Sequence, residues 1–267
     1  RMKKAETDSN GCFVAVGFQH IYSRELQQIK KVLLSGRFGK LKSVAVVGIW
    51  PRGNAYYERN NWAGKISSAS GEPVLDSPAN NAFAHYLNLP LFLAGETFEH
   101  SAHPVTLDGQ LWRARKSIEY FDTCGIQLET ASGVTICAYV SHASEKVINP
   151  QIRLECEKGT VLIDFDVNEW RIFDEGGGVV EQGSLPSPHS CMFEDVIAKV
   201  KDRETFVCTL DIAREHTFCI EELHQSCKLK DVPEHLISVD PEDGQFMIRN
   251  LPQRMKTCFE NYTKLVF

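Results

Sequence analysis

The feature that most constrains this chain is a series of short apolar segments set close together along its middle. Residues 118–121, 126–130, 134–141, 152–157, 160–165, 169–173 and 179–181 each read as a strand of a few residues. The breaks between them include Ala131-Ser132-Gly133, Lys158-Gly159 and Glu175-Gly176-Gly177-Gly178, all of hairpin type. Neighbouring parallel strands need a crossover of about a dozen residues or more, so strands this close in sequence must pair mainly antiparallel. Helical spacing flanks the series. Residues 23–35 place Leu26, Ile29, Val32 and Leu33 on one stripe, with Gly36 as the stop. A valine-rich strand at 42–50 follows and is closed by Pro51, and a further strand is expected at 12–18. Beyond the series, helical patterns cover residues 191–201, 210–226 and 253–262. Helices gathered before and after a meander define an α+β fold, a mainly antiparallel open sheet with helices packed on one face.

Composition removes several classes of function. The 267 residues are 43% hydrophobic and 24% charged, which fits an ordinary globular domain with one sizeable core. A net charge of -6 without any Lys/Arg run argues against a nucleic-acid surface. No stretch approaches the roughly 18 apolar residues of a membrane-spanning helix. Nine cysteines with no Cys-x-x-Cys pair fit reduced, buried thiols, so a cytoplasmic setting is expected. The chain opens on Arg1, and its first ten residues carry no apolar signal core; it reads as a piece of a longer protein.

Two stretches concentrate the chemistry. In Leu75-Asp76-Ser77-Pro78-Ala79-Asn80-Asn81-Ala82, Ser77 is a natural N-cap and Pro78 fits the first helical position. Asp76, Asn80 and Asn81 then crowd a helix N-terminus, and His85 falls one turn after Asn81 on the same face. Upstream, residues 52–65 carry Arg52, Tyr56, Tyr57, Arg59, Trp62 and Lys65 in one loop. Trp or Tyr against a sugar ring and Arg on a carboxylate or phosphate would use these types, as would a subunit interface. Asp76 has an alternative as an acid that only complements the helix dipole, Asn80 and Asn81 as first-turn amides, and His85 as a core histidine. Lys65 reads as a solvated loop lysine. His142, ending the 134–141 strand, is a further candidate. His216, Cys219, His224 and Cys227 share a face with Ile212, Ile220 and Leu223 in the 210–226 helix. One straight helix cannot wrap four ligands around a zinc, so that face reads as the buried stripe and no metal site is assigned.

These residues resemble the Gfo/Idh/MocA family of nicotinamide-dependent sugar oxidoreductases. The resemblance rests on Val14-Ala15-Val16-Gly17-Phe18, on Ser35-Gly36-Arg37-Phe38-Gly39-Lys40 before a valine-rich strand, and on Trp62-Ala63-Gly64. The Leu75 to Ala82 stretch, Phe121-Asp122-Thr123 and Leu210-Asp211-Ile212-Ala213-Arg214 complete the ordered set. Two departures stand out. The glycine-rich turn of the family's Rossmann domain and its Glu-Lys-Pro motif are absent, so the resemblance starts at the last strand of that domain. The family's aspartate is followed four residues later by a histidine that acts on the substrate hydroxyl; here Asp76 is followed by Asn80, whose amide cannot take a proton at neutral pH.

The resemblance implies that residues 1–22 are a remnant of the nucleotide-binding domain and linker, with 12–18 a strand deprived of its sheet. Residues 23–267 would form the substrate-binding and oligomerisation domain. The implied parent is an NAD- or NADP-dependent oxidoreductase acting on a sugar or polyol hydroxyl, with no cofactor expected on this chain alone, which would be inactive. Asp76, Asn80 and His85 are the implied catalytic group; Arg52, Tyr56, Tyr57, Arg59, Trp62 and Asn81 would bind substrate. A homo-oligomer through the exposed sheet face is implied, without nucleic acid or membrane. Two alternatives are an NAD-dependent glycoside hydrolase of the same family and a non-catalytic sugar-binding or assembly domain.

Overall fold

The computed structural model describes residues 1–267. Along the chain it forms α1 (Met2–Thr7), α2 (Arg24–Leu34), β1 (Leu41–Ile49), α3 (Asn54–Glu58), α4 (Ala84–Leu93) and β2 (Pro104–Arg113). Then come β3 (Thr123–Thr130), β4 (Thr135–Ser141), β5 (Ile148–Cys156), β6 (Gly159–Asp164), β7 (Glu169–Asp174) and β8 (Val179–Ser184). The remainder is α5 (His189–Lys201), α6 (Leu210–Ser226), β9 (Leu229–Asp231), β10 (Ile237–Val239), β11 (Phe246–Ile248) and α7 (Leu251–Asn261). The fold is α+β, with a nine-stranded open sheet in the order β8-β7-β6-β5-β1-β4-β3-β2-β9.

Most neighbours in this sheet are antiparallel, as close spacing dictates. The exceptions are β1 with β4 and β2 with β9, which run parallel. Strand β1 comes from the N-terminal part of the chain and inserts between β4 and β5, so it joins two meanders that otherwise do not touch in the ladder. Its sequence suits a central position. Val44 and Val46 point to one face and Ala45, Val47 and Ile49 to the other, and all five are buried.

That two-sided burial corrects one expectation. Helices α2, α4 and α6 cover one face over a core of 41 buried residues. The last helix, α7, lies on the opposite face, where Leu251, Met255, Cys258 and Phe259 pack with Ala45, Val47, Cys137 and Tyr139. A central strand that is apolar on both faces must be covered on both, and the unbroken apolar run of β1 is that signature. Beside α7, the same face of β5 to β7 carries Gln151, Arg153, Thr160, Leu162 and Phe173, all part-exposed. With Lys256, Phe259 and Glu260 they line a groove of about 650 Å³.

Residues 12–18 are not a strand. They run irregularly over the main core, docked by Ala15, Val16 and Phe18 and by a Val16 N–H bond to the Cys208 carbonyl at 2.8 Å. No strand of this chain pairs with them. Residues 118–121 are also irregular. They belong to a loop closed by Asp122, whose buried carboxylate accepts the Ala114 and Arg115 N–H groups at 2.9 and 2.8 Å. Strand β2 had no sequence signal because Asp108-Gly109 reads as a turn. The structure uses Gly109 differently, since a Cβ there would lie 2.4 Å from Leu223 of α6.

Candidate functional site

Because β1 and β4 are parallel, their carboxyl ends lie together. They deliver Trp50, Pro51 and Arg52 beside His142, joined by Trp50 N–H to Ser141 C=O at 3.0 Å and Arg52 N–H to His142 C=O at 3.1 Å. Carboxyl ends of parallel strands are where ligands gather in open sheets that contain them. Both candidate stretches of the sequence converge here.

Asp76 is the hub. It is buried, and its carboxylate accepts the Gly64 N–H at 2.6 Å on one oxygen and the Asn81 side-chain amide at 2.8 Å on the other. The Asn81 amide also donates to the Tyr56 hydroxyl at 3.3 Å. One carboxylate therefore ties the Arg/Tyr/Trp loop to the entry of α4. Gly64 is required at this junction: its φ is +70°, and a Cβ would sit 2.6 Å from Ile118. Asn60 shapes the loop before it, accepting the Trp62 and Ala63 N–H groups at 3.0 and 2.7 Å.

The regular helix begins later than the Ser77-Pro78 signal predicts. Ser77 Oγ does accept the Asn80 N–H, at 3.2 Å, but residues 78–83 form wide and tight turns together before α4 starts at Ala84. Phe83 N–H reaches back to Pro78 and Ala84 N–H only to Asn81, a mixture no single helix sustains. Asn81 thus lies in the turn and His85 in the helix.

The expected site residues divide. Asp76, Asn81, Tyr56, Arg52 and Arg59 come together, with both guanidinium groups on the Tyr56 ring, 4.9 and 3.6 Å from its centroid. Arg59 also lies over Trp62, which is exposed and forms the rim. Asn80 turns away: its amide donates to the Val74 and Leu75 carbonyls at 3.1 and 3.3 Å, holding Leu75 at φ +50°. Tyr57 faces inward under Arg115, whose guanidinium lies 4.8 Å from its ring and bonds Asn54 Oδ1 at 2.8 Å. His85 lies among Phe18 and His20, ring centroids 5.4 and 6.0 Å away, and its buried Nδ1 has no partner. Burial, and then the charge of His189, holds its pKa below the ordinary histidine value.

His142 stands inside the constellation. It is 3% exposed, its ring centroid is 5.4 Å from that of Tyr56, and its Nδ1 lies 2.8 Å from the Trp50 carbonyl. Burial, with Arg52 and Arg59 adding to it, pushes its pKa down to about 3, so the imidazole is neutral. The sequence offered one signal for it, a histidine directly after a strand. His216 and Cys219 of α6 go to packing: His216 Nε2 donates to the Ala79 carbonyl at 3.1 Å, and Cys219 is buried in the core. The large groove lies on the other face of the sheet and none of these residues lines it.

A model of the GFO/IDH/MocA C-terminal domain matches residues 26–162. The chain belongs to this family. Among solved structures it is similar to the WlbA dehydrogenase from Bordetella pertussis in complex with NADH and UDP-GlcNAcA. The identity is 25%, the TM-score 0.60, and the match covers 84% of this chain and 62% of that one. Two further likenesses, each 13% identical, show the fold alone. The Gal80p super-repressor mutant from Saccharomyces cerevisiae has a TM-score of 0.61, with 84% of this chain and 65% of that one covered. UDP-N-acetylglucosamine 3-dehydrogenase GnnA from Acidithiobacillus ferrooxidans has 0.59, with 83% and 63% covered. This chain therefore spans less than two thirds of each of them. Comparison with curated protein sequences gives no match.

The family implies a nicotinamide dinucleotide, whose pyrophosphate needs a glycine-rich turn opening a helix. Helices α2 and α6 open instead on Ser23 and Thr209, whose hydroxyls accept the Leu26 and Ile212 N–H groups at 3.3 Å each. No glycine lies in either turn. Neither helix start offers the dinucleotide pyrophosphate a glycine-rich cradle.

Proposed function

We propose that this chain is the substrate-binding and oligomerisation portion of an NAD(P)-dependent oxidoreductase acting on a sugar or polyol hydroxyl. The observation that carries the reading is the Asp76–Asn81–Tyr56 network at the joined ends of β1 and β4, flanked by Arg52, Arg59 and His142. The likeness to a dehydrogenase that binds a nucleotide sugar supports it. On this reading the cofactor, held by residues outside the chain, supplies the hydride acceptor, and residues 1–22 link that part to the domain formed by 23–267.

The chain's own residues bind, orient and accept. Tyr56 and Trp62 offer ring faces to a sugar, and Arg52 and Arg59 offer cationic donors. Asp76, buried and accepting the Gly64 N–H and the Asn81 amide, positions Asn81. Asn80 is spent on backbone carbonyls, so the proton of a bound hydroxyl falls to a neutral imidazole, His85 or His142. The half-exposed face of β5 to β7, with Leu162 and Phe173, is the surface offered to a second copy.

The test is to incubate the protein that carries this chain with NAD or NADP and a panel of sugars, polyols and sugar acids. Substrate-dependent formation of reduced nicotinamide, lost in Asp76→Ala, is expected; no reduction with any member overturns the reading. Asn80 at the usual histidine position favours one second reading, net glycoside hydrolysis through transient oxidation. Aglycone release without net reduced nicotinamide would select it.

A further inference from the structure

Two buried polar atoms beside Tyr56 lack any partner in the folded chain, Arg52 Nε and His142 Nε2. They are of opposite kind. Arg52 Nε can only donate. The Trp50 carbonyl can only accept, so His142 Nδ1 carries the ring proton and Nε2 presents a lone pair. Both residues meet one ring: the Arg52 guanidinium carbon lies 4.9 Å and the His142 ring centroid 5.4 Å from the Tyr56 centroid. Arg59 adds a second cation at 3.6 Å. Arg52 donates to the Pro51 carbonyl and Arg59 to the Tyr56 carbonyl, and neither guanidinium group forms an ion pair with a carboxylate of the chain.

An occupant that satisfies this set must bring an anion to the guanidinium groups and an O–H donor to the imidazole. A carboxylate alone leaves the Nε2 lone pair facing negative oxygen. A plain polyol leaves two cations uncompensated. We propose that Arg52 and His142 form a subsite for the 2-hydroxy carboxylate end of a sugar acid. The carboxylate takes the Arg52 Nε–H with Arg59 closing over it, and the adjacent hydroxyl donates to His142 Nε2. The inference rests on the sugar-oxidoreductase reading and narrows its substrate class. Arg59 is the movable cover, being exposed and held by ring faces and one backbone carbonyl. A neutral His142 keeps its acceptor available wherever a carboxylate is ionised.

The experiment uses three probes: gluconate, 2-deoxygluconate and glucitol. Each is titrated calorimetrically and followed by the imidazole nitrogen resonances of histidine-labelled protein, with His142 assigned from His142→Gln. Gluconate is expected to move the His142 Nε2 resonance, while 2-deoxygluconate binds about ten-fold or more weakly and leaves it in place. Arg52→Gln should lower gluconate affinity by about ten-fold or more and glucitol affinity by clearly less. His142→Gln, which retains an acceptor, should bind gluconate better than His142→Phe. Equal binding of gluconate and its 2-deoxy analogue, or an unmoved His142 resonance at saturation, overturns the subsite and leaves a bound water as its only occupant. Glucitol binding without preference for gluconate overturns the subsite but spares the sugar reading. Binding by none of the three overturns both.

Discussion

The Asp76 carboxylate accepts the Gly64 N–H at 2.6 Å, across twelve residues of chain, and this bond fastens the Arg/Tyr/Trp loop to the entry of α4. Its loss strands a buried donor at Gly64 and frees the Asn81 amide. Asp76→Ala is expected to cost about 2–3 kcal/mol, because hydrogen bonds to a charged acceptor are among the stronger ones. Urea unfolding gives the magnitude. Faster amide exchange at Gly64, with the central strands unchanged, identifies the loop as the part released.

Asn80 tests the division between chemistry and architecture. Replacing it with histidine restores the family's residue at that spacing but removes the bridge to the Val74 and Leu75 carbonyls. An imidazole offers one N–H in its neutral form and cannot span both. Asn80→His is therefore expected to lose about 1–2 kcal/mol of stability, read as a melting temperature a few degrees lower. An unchanged melting temperature would show that the bridge contributes little.

Acid should unfold this chain early. Burial lowers the pKa values of His20, His142 and His216 to about 3, about 3 and about 4, from an ordinary 6.5. Below pH 6.5 the unfolded chain takes up protons that the folded chain refuses, so stability is complete above that value and falls as pH drops toward 4. Three such groups give a slope of about 4 kcal/mol per pH unit in that window. His216→Phe should lower by about a third the slope measured by denaturant unfolding from pH 6.5 down to about pH 4.5. A slope unchanged by that substitution would assign the acid sensitivity to other groups.

Lys30 acts with the same sign on the alkaline side. It is fully buried in α2, donates to the His100 carbonyl at 2.7 Å and lies 3.8 Å from the Phe92 ring centroid. Burial lowers its pKa to about 7 from 10.5. Above pH 7 the folded chain releases a proton that the unfolded chain keeps, so stability is expected to rise with pH by about 1.4 kcal/mol per unit. The rise is cleanest below the ordinary thiol value of 9.0, where unfolded cysteines begin to ionise. Lys30→Met should flatten the curve and lift its neutral-pH end.

The legible part of this fold was the part governed by local pattern. Strands β3 to β8 are short apolar runs, several of them bounded by glycine or Asx turns, and α2, α5 and α6 show helical spacing, so each declared itself. What stayed hidden depended on partners distant in sequence. Asp108-Gly109 reads as a turn until α6 is seen pressing on Gly109. Residues 12–18 have the composition of a strand, and here they run irregularly over the core, docked by Ala15, Val16 and Phe18. At the site, the capped entry and the aromatic loop were visible, because Ser-Pro and Asp-x-x-x-Asn have local meaning. The division of labour between Asn80 and Asn81 was not: adjacent amides look alike until one meets Asp76 and the other meets two carbonyls. His142 gained its place only when β4 was found parallel to β1.

The insertion of β1 between β4 and β5 has a consequence for synthesis. On the ribosome β1 emerges with both edges bare and apolar on both faces, and its partners begin only at Thr135 and Ile148. At about 5–20 residues per second that interval lasts several seconds. The helices that emerge meanwhile have no sheet to rest on, and neither meander can close alone. The nascent protein is thus a substrate for chaperones until its second half arrives, and a stall within that window should yield aggregate instead of a partly folded domain.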